Sequence, residues 1–255
     1  LGAESIFLCH GPTWSIAVPE ELSTVKQVQF DGPHPAGLPG THIQHLAQPD
    51  LGEEAWHINF QDVVAVGRLF RRGELWTERS IALSGPGVRQ PRLLRTRLGA
   101  KLPELLQDEI NADEQVVSGP ILSGQLVNET TDYLGRYHQQ ICMLSRPKPQ
   151  STWRSKLSRL ATDLQRSPAA ILGPRGAANH GPGLLPVEAF EHVWPFANAP
   201  VPLLRALLAG DAETAETLGC LGFAEEDMAL LAAVCPAKQD YGAALRRTLD
   251  TLEQD

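Results

Sequence analysis

Cysteine is scarce in this sequence of 255 residues, and its few cysteines are widely spaced. Cys9, Cys142, Cys220 and Cys235 are the whole set, and no C-x-x-C pair occurs. That spacing excludes the usual zinc and dithiol motifs, and it is typical of reduced cytoplasmic thiols rather than of a disulfide framework. Iron–sulfur clusters as a rule need a full set of thiolates. Cys220 and Cys235 are therefore predicted to be buried structural residues.

Long apolar runs are also missing. A membrane-spanning helix needs about 20 consecutive apolar residues, whereas the longest candidates, Val63–Val66 and Met228–Val234, are short. Both are predicted to be core-facing parts of helices. The first residues, Leu1–Ser5, have no basic start followed by an apolar run, so they do not resemble a signal peptide. We therefore expect no direct membrane span.

Positive charge is in deficit. The chain has 22 lysines and arginines against 30 aspartates and glutamates, a net charge of −8. Nucleic-acid binding needs a basic face that displaces counterions, and a polybasic grip on anionic lipid needs the same. We therefore expect no nucleic-acid partner, and any link to a membrane through a protein partner.

The usual catalytic motifs are absent. The sequence has no G-x-G-x-x-G, no P-loop, no H-E-x-x-H and no nucleophile elbow. No residue is therefore predicted to be a catalytic acid, base or nucleophile, and a flavin or NADH enzyme in its own right is disfavoured.

The first region, 1–76, has the pattern of an α/β layer. Ile6–Cys9 and Val25–Phe30 are predicted strands, and a loop rich in glycine, proline and histidine follows from Asp31 to His45. Apolar residues at near-helical spacing then predict a helix over Trp56–Gly73, with Gly73 as its C-cap. Strand, loop and helix in this order are typical of an α/β domain, whose earlier strands we expect to be missing.

The second region, 77–145, alternates short strands with turns that contain glycine and proline. The predicted strands are Arg79–Ser84, Pro91–Leu98, Gln115–Ser118 and Gln139–Leu144, and one helix is predicted near Lys101–Gln107. Several strands around one helix indicate a small α+β module of the ubiquitin-like type.

The remaining chain divides into a linker and a helical region. Residues 146–183 are rich in proline and glycine, which indicates a linker. Residues 184–255 are predicted to be helical, with Gly210 and Gly219 ending helices and Asp211 capping one. Tyr241–Leu252 is predicted to be the last amphipathic helix.

The loop Asp31–His42 supports three interpretations. His34, His42 and His45, with His57 as a fourth ligand, suggest a metal site, but their spacing matches no familiar one. Gly32, Gly37 and Gly40 permit tight turns whose amide groups bind a polar headgroup. The third interpretation is a rigid loop that packs two domains together.

A basic segment follows in the second region. In Pro91–Arg97, partial alternation places Arg95 and Arg97 on one strand face. Contact between arginine and a neighbouring carboxylate is the preferred interpretation, and phosphate binding is the alternative.

Several blocks, in order along the chain, resemble the A subunits of the sodium-translocating NADH:quinone reductases. The longest is the loop Phe30-Asp31-Gly32-Pro33-His34-Pro35-Ala36-Gly37-Leu38-Pro39-Gly40-Thr41-His42-Ile43. Further blocks that are similar to the family are Trp56–Val63, Gly73–Arg79, Pro91–Ala100, Tyr133–Gln140, Leu203–Arg205, Leu208–Asp211, Leu218–Leu221 and Val234–Lys238. The stretch Arg146–Leu184 does not resemble the corresponding family segment.

The resemblance implies a multi-domain α+β fold and the following domains: 1–76, the carboxyl part of a Rossmann-like domain; 77–145, a β-grasp domain of the soluble-ligand-binding (SLBB) type; 146–183, a linker; and 184–255, a helical domain resembling a degenerate ferredoxin-type domain. It also implies that this chain is a fragment that lacks the family's amino-terminal part. Cys220 and Cys235 then correspond to the remnant of an iron–sulfur site in related proteins.

By the same resemblance, the chain is expected to be a peripheral subunit on the cytoplasmic side of a bacterial inner-membrane complex. That complex couples NADH oxidation and ubiquinone reduction to sodium export. Flavins and iron–sulfur are expected on the other subunits, with no cofactor bound by this chain and ubiquinone as a candidate ligand. The candidate quinone-binding residues are His34, Gly37, Gly40 and His42, and no metal ligand is predicted. The alternative is a stand-alone β-grasp module that binds a small soluble ligand.

Overall fold

The computed structural model describes residues 3, 5–14, 17–50, 52–107, 109, 114–145, 188–235, 237 and 239–254. The predicted linker, 146–183, lies outside the described residues. The chain forms two compact units: Leu1–His57 with Ala178–Asp255, and Ile58–Ala177.

The described helices and strands follow one another in this order: β1 (Ile6–His10), β2 (Val25–Gln29), α1 (Pro39–Leu46), α2 (Phe60–Arg72), β3 (Glu78–Ser84), β4 (Arg92–Arg97), α3 (Leu102–Leu105), β5 (Glu114–Ser118), β6 (Gln125–Leu126), β7 (Gln140–Ser145), α4 (Glu188–Val193), α5 (Pro200–Ala209), α6 (Ala212–Thr217), α7 (Ala229–Val234) and α8 (Tyr241–Leu252). Short 3-10 turns occur at Glu20–Leu22, Cys220–Gly222 and Glu225–Met228.

In the first unit, β1 and β2 pair in parallel, with Ile6 opposite Val25 and His10 opposite Gln29. Both strands lie where the sequence predicts them. The loop prediction for Asp31–His45 is wrong in its second half, because α1 begins at Pro39. Proline fits the first turn of a helix, since its missing N–H would have no partner there. The Rossmann-like layer stays a prediction.

In the first unit, glycine residues follow the ends of helices and aspartate residues cap their starts. Gly210 (φ 71°) and Gly219 (φ 84°) adopt the left-handed conformation after α5 and α6. Asp211 caps α6 by accepting a hydrogen bond from the Thr214 N–H at 3.0 Å. Asp240 caps α8 in the same way, through the Ala243 N–H at 3.0 Å.

These helices share one apolar core. Its fully buried members include Phe190, Leu203, Leu204, Met228, Leu231, Tyr241 and Leu245. Burial of large aliphatic and aromatic side chains is worth about 1.5–3 kcal/mol each, so this cluster is the main source of stability in the unit. Met228 and Leu231 confirm the prediction that Met228–Val234 faces a core.

The second unit is built on a five-stranded sheet in the order β4-β3-β7-β5-β6. β3 pairs antiparallel with β4 and parallel with β7, and β7 pairs antiparallel with β5. Two hairpins joined by a helical connection, with the first and last strands adjacent and parallel, make the β-grasp arrangement that the sequence predicts. Ile81, Leu83, Leu102, Leu106, Ile141 and Met143 form its core, each at most 1% exposed.

Helix α2 attaches to this sheet through polar side chains. It begins at Phe60, later than the predicted Trp56, because the Asn59 side chain caps it, and it ends at Gly73 (φ 67°) as predicted. The Gln61 amide accepts from the Ser80 N–H at 2.9 Å and donates to the Ser80 carbonyl at 3.0 Å. Gln61 thus takes the place of a strand partner at Ser80, just before β7 begins at Gln140. Helix α2 belongs to the second unit, which begins at Ile58, although the sequence-based boundary lies at 76.

An ion-pair cluster reinforces the attachment of α2. Asp62 accepts from Arg79 at 2.5 Å and from Arg136 at 3.1 Å, and the Arg79 side chain is only 7% exposed.

The prediction that Val63–Val66 faces a core is wrong for the described residues, because Val63, Val64 and Val66 are each 45–52% exposed.

Candidate functional site

The loop that precedes α1 is folded by its own turns. Gly32 has a φ of 138°, and the peptide bond between His34 and Pro35 is cis. The Ala36 N–H donates to the Pro33 carbonyl at 3.0 Å, and the Leu38 N–H donates to the Pro35 carbonyl at 2.8 Å. Consecutive hydrogen-bonded turns hold the loop in one shape while its outer residues stay accessible.

The predicted residues His34 and Gly37 lie on the outside of the loop, and both are exposed. Burial of part of the imidazole lowers the pKa of His34. A side chain built on Gly37 would meet no atom within 4 Å. These two residues are therefore accessible to a ligand.

His42 is held against the loop from inside. Its Nε2 donates to the Ala36 carbonyl at 2.8 Å, and its ring centroid lies 4.0 Å from that of Phe30. Burial lowers the pKa of His42, the Ala36 hydrogen bond opposes that shift, and the charge of nearby His45 adds to it. His42 thus fixes the loop by donating this hydrogen bond.

Gly40, in the first turn of α1, is the point of closest approach to the carboxyl-terminal helices. A side chain on Gly40 would overlap Oδ2 of Asp227 and would lie 3.1 Å from the Ala224 side chain. Gly40 is buried, so its role is close packing rather than exposure of its amide to a ligand. The backbone cradle of the sequence-based interpretation therefore does not include Gly40.

Asp227 fastens that turn. Its Oδ1 accepts from the Thr41 hydroxyl at 3.3 Å, and its Oδ2 accepts from the Ala224 N–H at 2.9 Å. The side chain is 3% exposed. Burial raises the pKa of Asp227 to about 6, with the nearby charge of Glu226 adding to the shift, while the hydrogen bonds from Ala224 and Thr41 oppose it.

The carboxyl end of α1 packs through aromatic rings. His45 Nδ1 donates to the Thr41 carbonyl at 2.8 Å, and its ring lies 5.6 Å from that of Phe196. Phe196 in turn contacts Trp194 at 4.8 Å and Phe223 at 4.8 Å between centroids. The loop and α1 are therefore anchored at both ends to the helices that follow in the same unit.

A cleft of about 520 Å³ lies beside the carboxyl end of α1, and its lining includes Gln44, Glu216 and Gly222. A side chain on Gly222 would overlap Oε1 of Gln44. Gly222 is thus a second glycine that allows α1 to approach the helices closely.

The metal interpretation finds no cluster to support it. Among the residues that the structure describes, no three histidine, cysteine, aspartate or glutamate side chains are placed to hold a metal ion. His42 and His45 are hydrogen-bonded to carbonyl oxygens, and His57 is exposed.

Cys220 and Cys235 are core residues, both at most 1% exposed. Burial raises the pKa of the Cys220 thiol to about 11, and the charge of Glu216 adds to the shift. The Cys235 sulfur lies 3.2 Å from the Tyr241 hydroxyl. Thiols buried in an apolar core are packing residues rather than reactive ones.

Sequence reasoning missed the role of Asp227. The run Glu225-Glu226-Asp227 signals a helix amino terminus, and a turn does begin there. Nothing in the local sequence tells Asp227 from its two neighbours, because its partner Thr41 lies 186 positions away.

None of the helices in the described part of the chain is both long and apolar enough to cross a bilayer.

Two family models match parts of the chain, and their boundary differs from that of the compact units, because the first model includes α2. The family model described as NqrA second alpha/beta domain matches residues 1–75. The model described as NQRA C-terminal domain, of the SLBB type, matches residues 80–129. The second match falls on the β-grasp sheet.

Curated relatives match along nearly the whole chain. The A subunit of the Na(+)-translocating NADH-quinone reductase of Actinobacillus pleuropneumoniae serotype 5b is 40% identical over 262 residues, which covers 100% of this chain and 58% of that protein. The same subunit of Yersinia pseudotuberculosis serotype I is 42% identical over 98% of this chain and 58% of its own length. That of Haemophilus influenzae strain PittGG is 40% identical over 92% and 54%. The chain spans a little over half the length of these relatives, and it belongs to the family of the A subunits of Na(+)-translocating NADH-quinone reductase.

Proposed function

We propose that this chain serves as part of the peripheral A subunit of a sodium-translocating NADH:quinone reductase, where it supports quinone binding and assembly of the complex. The observation that carries the proposal is about 40% identity to such subunits over the whole chain. In this proposal the chain lies on the cytoplasmic side of the membrane and is held there by other subunits. NADH oxidation and electron transfer belong to flavins and iron–sulfur on those subunits.

Within this function, the loop before α1 is the candidate contact with the quinone headgroup. A quinone presents two carbonyl oxygens, which accept hydrogen bonds. The imidazole of His34 is accessible and can donate one, and Gly37 leaves room for a ring to approach the backbone. His42 and Gly40 then act by holding the loop, through the Ala36 carbonyl and the close contact with Asp227.

Substitutions in the assembled complex test the role of the loop. His34→Ala removes the donor and Gly37→Val fills the space, so each is expected to raise the KM for quinone several-fold while NADH oxidation with an artificial acceptor is unchanged. His57→Ala and Gly11→Val are matched controls, since His57 is exposed and a side chain on Gly11 meets no atom within 4 Å. Unchanged quinone reduction in both loop variants would mean that the loop is structural.

A second candidate function is a stand-alone module that binds a small soluble ligand. The observation that favours it is the complete β-grasp sheet with its own buried core. Tagging the intact gene in its native host and purifying from detergent-solubilised membranes separates the two. Recovery of the other reductase subunits supports the first function, and recovery of the protein alone from the soluble fraction supports the second.

A further inference from the structure

Among the described residues, strand β4 has no partner on one side of its backbone. It is the terminal strand of the sheet, and its described neighbour is β3. The Leu98 N–H bonds to the Thr77 carbonyl at 2.9 Å. Since bonded and non-bonded pairs alternate in an antiparallel ladder, Arg92, Leu94 and Thr96 bond to β3, and the backbone groups of Leu93 and Arg95 point to the open side.

The opposite strand confirms this assignment. Ser80 faces Arg95 across the pair, and the Ser80 N–H and carbonyl bond away from β4, to the Gln61 amide. On β3 the outward backbone groups therefore have a partner. On β4 the corresponding groups of Leu93 and Arg95 have none among the described residues.

The side chains on one face of this edge are exposed. Leu93, Arg95 and Arg97 alternate onto one face. Leu93 is 78% exposed and the Arg95 side chain is 81% exposed. An exposed leucine followed by two arginines, on an edge with no described partner, is a combination that strand addition can use.

The stretch of sequence that contains β4 is basic, in contrast to the acidic chain as a whole. No aspartate or glutamate occurs between Glu78 and Glu104, although the net charge of the whole chain is −8. The same stretch contains five arginines and one lysine. Arg92 is paired with Glu109 at 2.6 Å and Arg95 with Glu78 at 3.3 Å. The described ion pairs leave the exposed Arg97 side chain to meet an incoming carboxylate.

We propose that β4 accepts an extended acidic segment of a partner protein as an added strand of the β-grasp sheet. The backbone groups of Leu93 and Arg95 bond to the added strand, an apolar side chain of that strand covers Leu93, and its carboxylates pair with Arg95 and Arg97. A second copy of this chain is not the occupant, because β4 against β4 would bring arginines together. This surface lies outside the candidate quinone loop and does not depend on it.

The test uses the full chain and three synthetic peptides, with binding measured by fluorescence anisotropy. The first peptide alternates glutamate and valine. The second has the same sequence with every other backbone nitrogen methylated, and the third has lysine in place of glutamate. The first is expected to bind, more weakly as salt is raised, and the other two are expected not to bind. Amide exchange of Leu93 and Arg95 is expected to slow in the complex.

Variants locate the site. Arg95→Gln with Arg97→Gln is expected to weaken binding of the acidic peptide about fivefold to tenfold, the worth of two surface ion pairs. Arg71→Gln with Arg72→Gln, at the exposed end of α2, removes the same charge elsewhere and is expected to leave binding unchanged. Circular dichroism confirms that each variant is folded.

Two outcomes would overturn the proposal. Equal binding of the methylated and unmethylated peptides would show simple charge attraction without strand addition. No binding of the acidic peptide at millimolar concentration would show that the arginines only protect the edge from pairing.

Discussion

Replacing Asp227 with asparagine tests whether a buried carboxylate sets the pH dependence of stability in the first unit. Asparagine keeps the shape of the side chain and removes its charge. With its oxygen in the position of Oδ2, it still accepts from the Ala224 N–H, and its amide nitrogen then faces the Thr41 hydroxyl oxygen, to which it can donate. Asp227→Asn is therefore expected to retain the contact with α1.

The direction of the effect follows from the pKa. Asp227 has a pKa of about 6 in the folded protein, whereas an aspartate in an unfolded chain has a pKa of about 3.9. Between these values the folded state holds a proton that the unfolded chain releases. Stability contributed by this group is therefore greatest below pH ~4, falls as pH rises to ~6 and is constant above that.

The magnitude comes from the same difference. A shift of about two pKa units corresponds to about 3 kcal/mol between the two protonation states. Asp227→Asn is thus expected to be about 1–3 kcal/mol more stable than the wild type above pH 7, and the difference should shrink toward zero near pH 4. Urea unfolding of both proteins across this pH range, followed by circular dichroism, measures that difference.

The control is Glu226→Gln, which removes the neighbouring, exposed carboxylate and should give a small difference at every pH. NMR titration of the Asp227 carboxyl carbon measures the pKa directly. If Asp227→Asn is less stable than the wild type above pH 7, or if its difference from the wild type does not change with pH, the carboxylate is stabilised by its hydrogen bonds and the reasoning from burial is refuted.

Three further substitutions test the close contact at Gly40 and the hydrogen bonds of Gln61. Gly40→Ala is expected to cost about 1–3 kcal/mol in the free energy of unfolding, because the new methyl group overlaps the Asp227 carboxylate. Gly37→Ala, in open space, is expected to change it by less than about 0.5 kcal/mol, and equal effects in chemical denaturation would contradict the assigned contact. Gln61→Ala is expected to cost about 1–2 kcal/mol, since the Ser80 N–H and carbonyl both lose their partner. Faster amide exchange at Ser80 would accompany that loss, and an unchanged exchange rate would show that water replaces Gln61 fully.

Local signals in the sequence predicted the elements well. Glycine and aspartate mark helix ends by their own conformational and capping preferences, so Gly73, Gly210 and Asp211 ended or began helices where expected. The short strands of the β-grasp sheet were also recognisable from apolar residues between turns. Helix α1 was missed because Pro39 and Gly40 are usually loop residues, and its position depends on contacts made far along the chain.

Non-local contacts were beyond the reach of sequence patterns. Val63, Val64 and Val66 have the spacing of a core-facing helix, yet in the described structure α2 turns its polar residues Gln61 and Asp62 toward the sheet. Hydrophobic spacing gives the width and period of an apolar face, but it does not identify what covers that face. The side of α2 that contacts the sheet is determined by the buried Gln61, which bonds to Ser80. A single glutamine in a helix gives no sequence pattern from which this contact could be predicted.

The four candidate residues of the loop before α1 differ in their accessibility. The resemblance singled out His34, Gly37, Gly40 and His42 together, and their roles in a quinone site stay a prediction. The structure separates them by access: His34 and Gly37 face outward, while Gly40 and His42 contact Asp227 and Ala36. If the loop binds quinone, substitutions at the outer pair should change affinity without changing stability. Substitutions at the inner pair should change both, because a loop released from Asp227 no longer presents His34 in one position.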